Sequence, residues 1–100
     1  MKVRWTHEAL ERLIEIEDFI FKDSPPRAQH FVEYLIERGE TISVNPNTGR
    51  TVPELSNPLI RELTIKGYRM VYRLRDDKID ILTVFEGHRL LNMDGIEGTL

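Results

Sequence analysis

The feature that most constrains this fold is a series of three β-type segments separated by two very short turns. The segments are residues 60–65, 68–74 and 78–85, and each is rich in aliphatic, β-branched or aromatic side chains. Between them, Lys66-Gly67 and Asp76-Asp77 are typical of two-residue hairpin loops. Strands joined by such short turns pair antiparallel. The sequence therefore predicts a three-stranded antiparallel meander in the second half of the chain.

The first half of the chain predicts one strand and two helices. Lys2 to Trp5 forms a short opening strand, and Thr6 is placed to cap a helix with Glu8 in its first turn. Apolar residues then recur with helical spacing, at Ala9, Leu13, Ile16 and Ile20. Ser24-Pro25-Pro26 begins a second helix, whose apolar stripe is Ala28, Phe31, Val32, Leu35 and Ile42. The predicted fold is α+β, with a helical hairpin packed on one face of a twisted sheet.

Composition indicates one soluble domain without a cofactor. The chain has 100 residues, of which 40% are hydrophobic and 31% charged. It has no cysteine, and His7, His30 and His88 lack zinc-site spacing, so we expect neither a disulfide nor a metal site. No apolar segment is long enough to span a membrane, and the charged start differs from a signal peptide. We expect a cytoplasmic protein of residues 1–100 in which residues 90–100 form a flexible tail or a partner-binding segment.

Charge is distributed unevenly along the chain, whose net charge is −3. Residues 7–40 contain nine acidic and four basic side chains, whereas residues 60–75 contain five basic side chains and only Glu62 as an acid. The pattern permits a local anion-binding face on the sheet. It argues against a protein that coats nucleic acid, so we expect no strong direct binding to DNA.

Alternation along residues 68–75 separates an apolar set of side chains from a basic set. One face of the strand carries Tyr68, Met70, Tyr72 and Leu74, and the other carries Arg69, Val71, Arg73 and Arg75. Since the apolar face is the one that packs on the helices, we expect the opposite face to be exposed and cationic.

Three segments resemble a known protein family. "GRTVPEL", "LIRELTIKGYRMVYRL" and "DILTVFEGHRLL", in this order after two helices, are similar to the RelE/ParE superfamily of toxins from type II toxin–antitoxin systems. The resemblance extends from Trp5 to Leu91. It implies a small α/β fold with a twisted antiparallel sheet under a helical hairpin. It also implies an antitoxin partner, whose disordered tail folds around the toxin and silences it.

The superfamily has two branches with different targets. RelE-like members are ribosome-dependent mRNA endonucleases that need no metal, and ParE-like members are associated with inhibition of DNA gyrase. The resemblance implies that a RelE-like ribonuclease would use Arg69 and Arg89 on phosphate. A different nuclease layout, with a loop glutamate as base and a carboxy-terminal histidine as acid, would use Glu54, Arg69 and His88. However, Ile60 and Glu62 occupy positions where RelE-type sites have lysines, and the tail "LLNMDGIEGTL" has no tyrosine.

These departures favour the ParE-like branch and gyrase as the target. A RelE-like ribonuclease and a non-toxic, antitoxin-binding relative remain alternatives. The candidate target- or anion-binding residues are Arg61, Arg69, Arg73, His88 and Arg89, and the candidate antitoxin-binding residues are Leu90, Leu91, Met93 and Arg75.

The arginines and tyrosines among these residues also have structural interpretations. Arg69 could pair with Glu62, and Arg61 with an acid on a neighbouring strand. Tyr68 and Tyr72 are expected to be core aromatics. The functional interpretation requires that Arg69 and Arg89 share an uncovered surface.

Overall fold

The two predicted helices lie on one face of a five-stranded mixed sheet. The computed structural model describes residues 1–87, and its elements are β1 (Lys2–Trp5), α1 (His7–Phe21), α2 (Pro25–Glu40), a short 3₁₀ helix (Thr41–Ser43), β2 (Arg50–Thr51), β3 (Ile60–Ile65), β4 (Tyr68–Arg75) and β5 (Lys78–Glu86). The strands lie in the order β1-β5-β4-β3-β2. The predicted α+β class and the predicted order of elements are confirmed. The short strand β2 was not predicted.

Strands β3, β4 and β5 form the predicted antiparallel meander. At the first turn, Lys66 and Gly67 have φ angles of 49° and 86°. Two consecutive positive φ values belong to the tight turn whose twist matches that of the flanking strands, and glycine adopts the second one without strain. Local turn chemistry thus sets the register of this hairpin.

Strand β1 lies at the edge of the sheet and runs parallel to β5, a position that the sequence did not predict. Thr6 connects this edge to the helices. Its hydroxyl accepts a hydrogen bond from the Ala9 amide at 3.2 Å, as predicted for an N-cap, and donates to the Ile81 carbonyl at 2.8 Å. One buried side chain therefore both caps α1 and fixes that helix to β5.

The main core lies between the helical hairpin and the sheet. It is formed by Ala9, Leu13, Ile16, Leu35, Ile42, Leu63, Ile65, Met70, Tyr72, Ile79, Ile81 and Val84. Tyr72 is fully buried, and its hydroxyl donates to the Pro46 carbonyl and accepts from the Gly49 amide. It is therefore a core aromatic, as expected, and it also holds the loop that precedes β2. At Gly39 a Cβ atom would lie 2.5 Å from the Trp5 ring, so only glycine allows this close approach of α2 to β1.

The face of the sheet that points away from the helices, called here the second face, is only partly exposed. A second apolar cluster on it contains Val52, Ile60, Val71 and Leu82, with Leu55 and Phe85 packed against them. A β-bulge contributes to this cluster, because Val71 pairs with Thr83 and Tyr72 with Ile81, which leaves Leu82 as the extra residue. The prediction of an exposed, cationic second face is therefore wrong for the part around Arg69, because the segment between β2 and β3 supplies apolar residues that cover it.

Candidate functional site: two arginine clusters on the second face

Arg69 lies on the second face, as predicted, but its side chain is only 7% exposed. Its Nη1 and Nη2 atoms donate to the two carboxylate oxygens of Glu54 at 2.8 and 2.7 Å. Nη2 also donates to Glu62 at 2.6 Å, and Nε lies 3.1 Å from both oxygens of Glu62. The Phe85 ring covers the guanidinium, with its centroid 4.9 Å from Cζ. Carboxylates therefore occupy both edges of this guanidinium.

Two arginines and two glutamates balance in this first cluster. The Glu62 side chain is fully buried, and its second cation is Arg50, which is 65% exposed and lies 3.0 Å away. Hydrogen bonds to Glu54, and then to Glu62, raise the pKa of Arg69 above its ordinary value in spite of burial. The expected pairing with Glu62 is confirmed. The expectation of an uncovered Arg69 is wrong, because a guanidinium placed among apolar side chains requires counter-charges.

A second cluster surrounds Asp80, whose side chain is fully buried in β5. Arg4 lies 2.9 Å from it, Arg73 3.0 Å and Arg75 3.1 Å. Burial alone would raise the Asp80 pKa, but hydrogen bonds from Arg4 and Arg73 and the charges of Arg4 and Arg75 outweigh it, so the net shift is downward. Arg4 and Arg75 are 52% and 45% exposed. One carboxylate therefore holds three cations, two of which reach solvent.

The structure separates the other candidate residues. Arg73 and Arg75 belong to the Asp80 cluster, away from Arg69. Arg61 donates to the Gly49 carbonyl at 3.0 Å and pairs with no acid among residues 1–87. The predicted cross-strand ion pair of Arg61 is wrong, because its register partners are Tyr72 and Thr51. Its role in target binding stays a prediction.

The remaining candidates belong to the last part of the chain, beyond residue 87. The residues that fall outside the described part of the chain are His88, Arg89, Leu90, Leu91 and Met93. The predicted shared surface of Arg69 and Arg89 therefore stays a prediction, as do the roles of the tail.

Asp80, the centre of the second cluster, was missed by the sequence reasoning. A signal for it was present, since an acid between Ile79 and Ile81 is unusual in a buried strand and implies a paired charge. Its partners Arg4 and Arg73 lie on neighbouring strands in register with it. Finding them required knowing that β1 lies beside β5.

The two clusters differ in what they can do chemically. A phosphate that approached Arg69 would have to displace Glu54 or Glu62, and Glu54 is bound to Arg69 through both oxygens. The exposed guanidiniums of the Asp80 cluster can accept an anion without breaking the cluster. Within residues 1–87, no three His, Asp or Glu side chains are grouped to hold a metal, and no helix is long and apolar enough to cross a membrane.

Comparison with known proteins gives consistent similarities over most of the chain. The family model described as the ParE toxin of type II toxin-antitoxin system, parDE, matches residues 3–91. A protein of Sinorhizobium fredii (strain NBRC 101917 / NGR234) described as a candidate toxin, Y4kP, is 34% identical over 90 residues, which are 88% of this chain and 90% of that protein. A solved structure of the chromosomal ParDE TA system from P. aeruginosa has a TM-score of 0.73 at 25% identity and covers 86% of this chain and 95% of its own.

Proposed function

This chain belongs to the ParE toxin family of type II toxin–antitoxin systems, and from that premise we propose that it arrests growth by inhibiting DNA gyrase. We further propose that a cognate antitoxin encoded beside it binds and silences it. The family match over residues 3–91 is the observation that carries the proposal. The antitoxin as a partner is also supported by the similarity to a ParDE system, in which toxin and antitoxin occur together.

The environment of Arg69 supports a protein target over RNA cleavage. Cleavage by a ribose 2′-hydroxyl requires cations that stabilise the charge growing on phosphate. The arginine that the resemblance assigns to this task is only 7% exposed and is neutralised by Glu54 and Glu62. Glu62 also stands where a RelE-type site has a lysine, so the local charge is reversed.

One observation favours the ribonuclease alternative. Glu54 and Arg69, the base and the phosphate-binding residue of one layout, are in direct contact at 2.7 Å. For catalysis this ion pair would have to open, because a carboxylate held by two guanidinium hydrogen bonds is a poor proton acceptor.

The two functions can be separated by expressing the chain alone and together with its neighbouring antitoxin gene. Gyrase supercoiling is assayed with the purified chain, and cellular mRNA is analysed by primer extension. The proposal expects loss of supercoiling, relief by the antitoxin and intact mRNA.

The matched variant for this experiment is Glu54→Gln, which keeps side-chain size while leaving Glu62 to neutralise Arg69. Gyrase inhibition should persist in this variant. Codon-phased mRNA cuts that disappear in Glu54→Gln, with supercoiling unaffected by the wild-type chain, would establish the ribonuclease instead. Normal growth on expression of a folded chain, with neither activity, would indicate a non-toxic relative.

A further inference from the structure

Five cations form two rows around Asp80 on the second face. Lys2, Lys78 and Arg75 are directly opposite one another on β1, β5 and β4, and make the first row. Arg4, Asp80 and Arg73 make the second row, one pleat along the same face. These five basic side chains are called here the basic patch. Lys2, Arg4, Arg75 and Lys78 are all exposed.

The first row is unfavourable for the isolated fold. Like charges directly opposite each other on neighbouring strands repel, and the row contains three cations in succession. Asp80 lies in the other row and is shared by three arginines. Asp76 and Asp77 lie in the adjoining turn, so that within residues 1–87 the two rows and this turn contain five cations and three carboxylates. An anionic ligand would relieve this repulsion.

We propose that the basic patch contacts the phosphate backbone of DNA. Each row spans two strand spacings, about 10 Å, and duplex DNA carries one negative charge per about 1.7 Å of its axis, so several phosphates can face the patch. The buried Asp80 fixes three guanidiniums in position, which reduces the entropy lost when a ligand binds.

The composition of the patch favours nucleic acid over an acidic protein segment. The six residues of the two rows are all charged. Protein interfaces concentrate their binding energy in apolar, aromatic and arginine anchors seated in pockets, whereas phosphate contacts are made by exposed Lys and Arg. The patch has the second kind of chemistry.

Contact with DNA is consistent with a protein whose net charge is −3. The acidic helices weaken attraction to free DNA at physiological salt. When gyrase holds both toxin and DNA, the patch meets phosphates at a high effective concentration. Only the meeting of toxin and DNA on gyrase rests on the proposed function. Binding of DNA by the basic patch can be measured without gyrase.

The test is the salt dependence of binding to a fluorescently labelled duplex of about 20 base pairs, measured by anisotropy from about 20 to 100 mM salt. The variant is Lys2→Gln/Lys78→Gln, which removes two charges and leaves every ion pair of Asp80 in place. The matched control is Lys22→Gln/Arg27→Gln, which removes two exposed charges from the helical hairpin. Thermal melting verifies that both variants are folded.

The wild-type chain should bind the duplex at low salt. The patch variant should bind about tenfold more weakly, and its slope of log affinity against log salt should fall by about 2. The control should remain within about twofold of wild type. Absence of salt-sensitive binding by wild type, or equal losses in variant and control, overturns the inference.

In a second experiment, a polyglutamate peptide of matched charge replaces the duplex. If the chain binds this peptide more tightly than the duplex, the patch is assigned to an acidic protein, and the inference of DNA contact is overturned. Gyrase supercoiling, assayed separately, distinguishes failure of the proposed function from failure of the DNA contact.

Discussion

Replacing Arg69 by alanine should remove a large part of the protein's free energy of unfolding, whatever role Arg69 has in function. The substitution removes a side chain that is 7% exposed and is bound to two carboxylates, one of them fully buried. Glu62 would keep only Arg50, which is 65% exposed, and Glu54 is 22% exposed and can be rehydrated. Most of the destabilisation therefore comes from the buried Glu62 carboxylate, which loses its buried counter-charge.

The expected loss in the free energy of unfolding is about 3 kcal/mol. Removing one partner of a buried ion pair costs about 3–5 kcal/mol, and the remaining contact with Arg50 places this case at the lower end. Domains of this size are stable by about 5–15 kcal/mol. A loss of about 3 kcal/mol corresponds to a fall in melting temperature of about 12–24 °C in a chain of 100 residues.

Circular dichroism melts and urea titrations measure this loss, with Arg50→Ala as the matched control. Arg50 binds the same carboxylate from an exposed position, so its removal should cost less than about 1 kcal/mol. If the two variants melt within about 2 °C of each other, the assigned role of burial is wrong. A loss of toxicity in Arg69→Ala consequently carries information about mechanism only when the amount of folded protein is measured alongside it.

Three further predictions concern other buried polar groups. The pKa of Asp80 lies below its ordinary 3.8 in the folded chain, so the stability that the ionised Asp80 adds is complete above about pH 4 and is lost as pH falls further. The difference in unfolding free energy between wild type and Asp80→Asn, measured by urea titration, should therefore shrink from pH 7 towards pH 2.5. A difference that stays constant over this range would contradict the prediction. Thr6→Ala should cost about 2 kcal/mol by losing the helix cap and the hydrogen bond from the hydroxyl to the Ile81 carbonyl, which keeps only the backbone amide of residue 6 as a donor. Thr6→Ser should keep most of this energy, as urea midpoints will show. Tyr72→Phe should cost about 1–2 kcal/mol and speed hydrogen exchange at the Gly49 amide, and an unchanged exchange rate would count against the hydroxyl as the link to this loop.

The candidate site was predicted only in part, and the parts that failed share a cause. Alternation along β4 placed Arg69, Arg73 and Arg75 together on the second face, and the structure agrees. The exposure of Arg69 could not be deduced in the same way. It depends on Glu54, which lies 15 residues away in sequence and reaches Arg69 only because the segment between β2 and β3 folds over the sheet.

The Asp80 cluster depends even more on distant contacts. Arg4 and Asp80 are 76 residues apart in sequence and meet because β1 lies beside β5. The β-bulge at Leu82 also changes which side chains share a face, and it interrupts the simple alternation from which faces are deduced. Long-range strand order and irregular pairing leave little trace in a single sequence.

What the sequence by itself determined were features controlled by near neighbours. These were the cap at Thr6, the helical stripe of α1, the tight turn at Lys66-Gly67 and the antiparallel meander that this turn initiates. Backbone dihedral preferences and hydrogen bonds within a few residues control such features. Only the tertiary structure decided which charges are buried, paired or exposed, because the energy of an ion depends on the dielectric and the counter-charges that the folded chain brings around it.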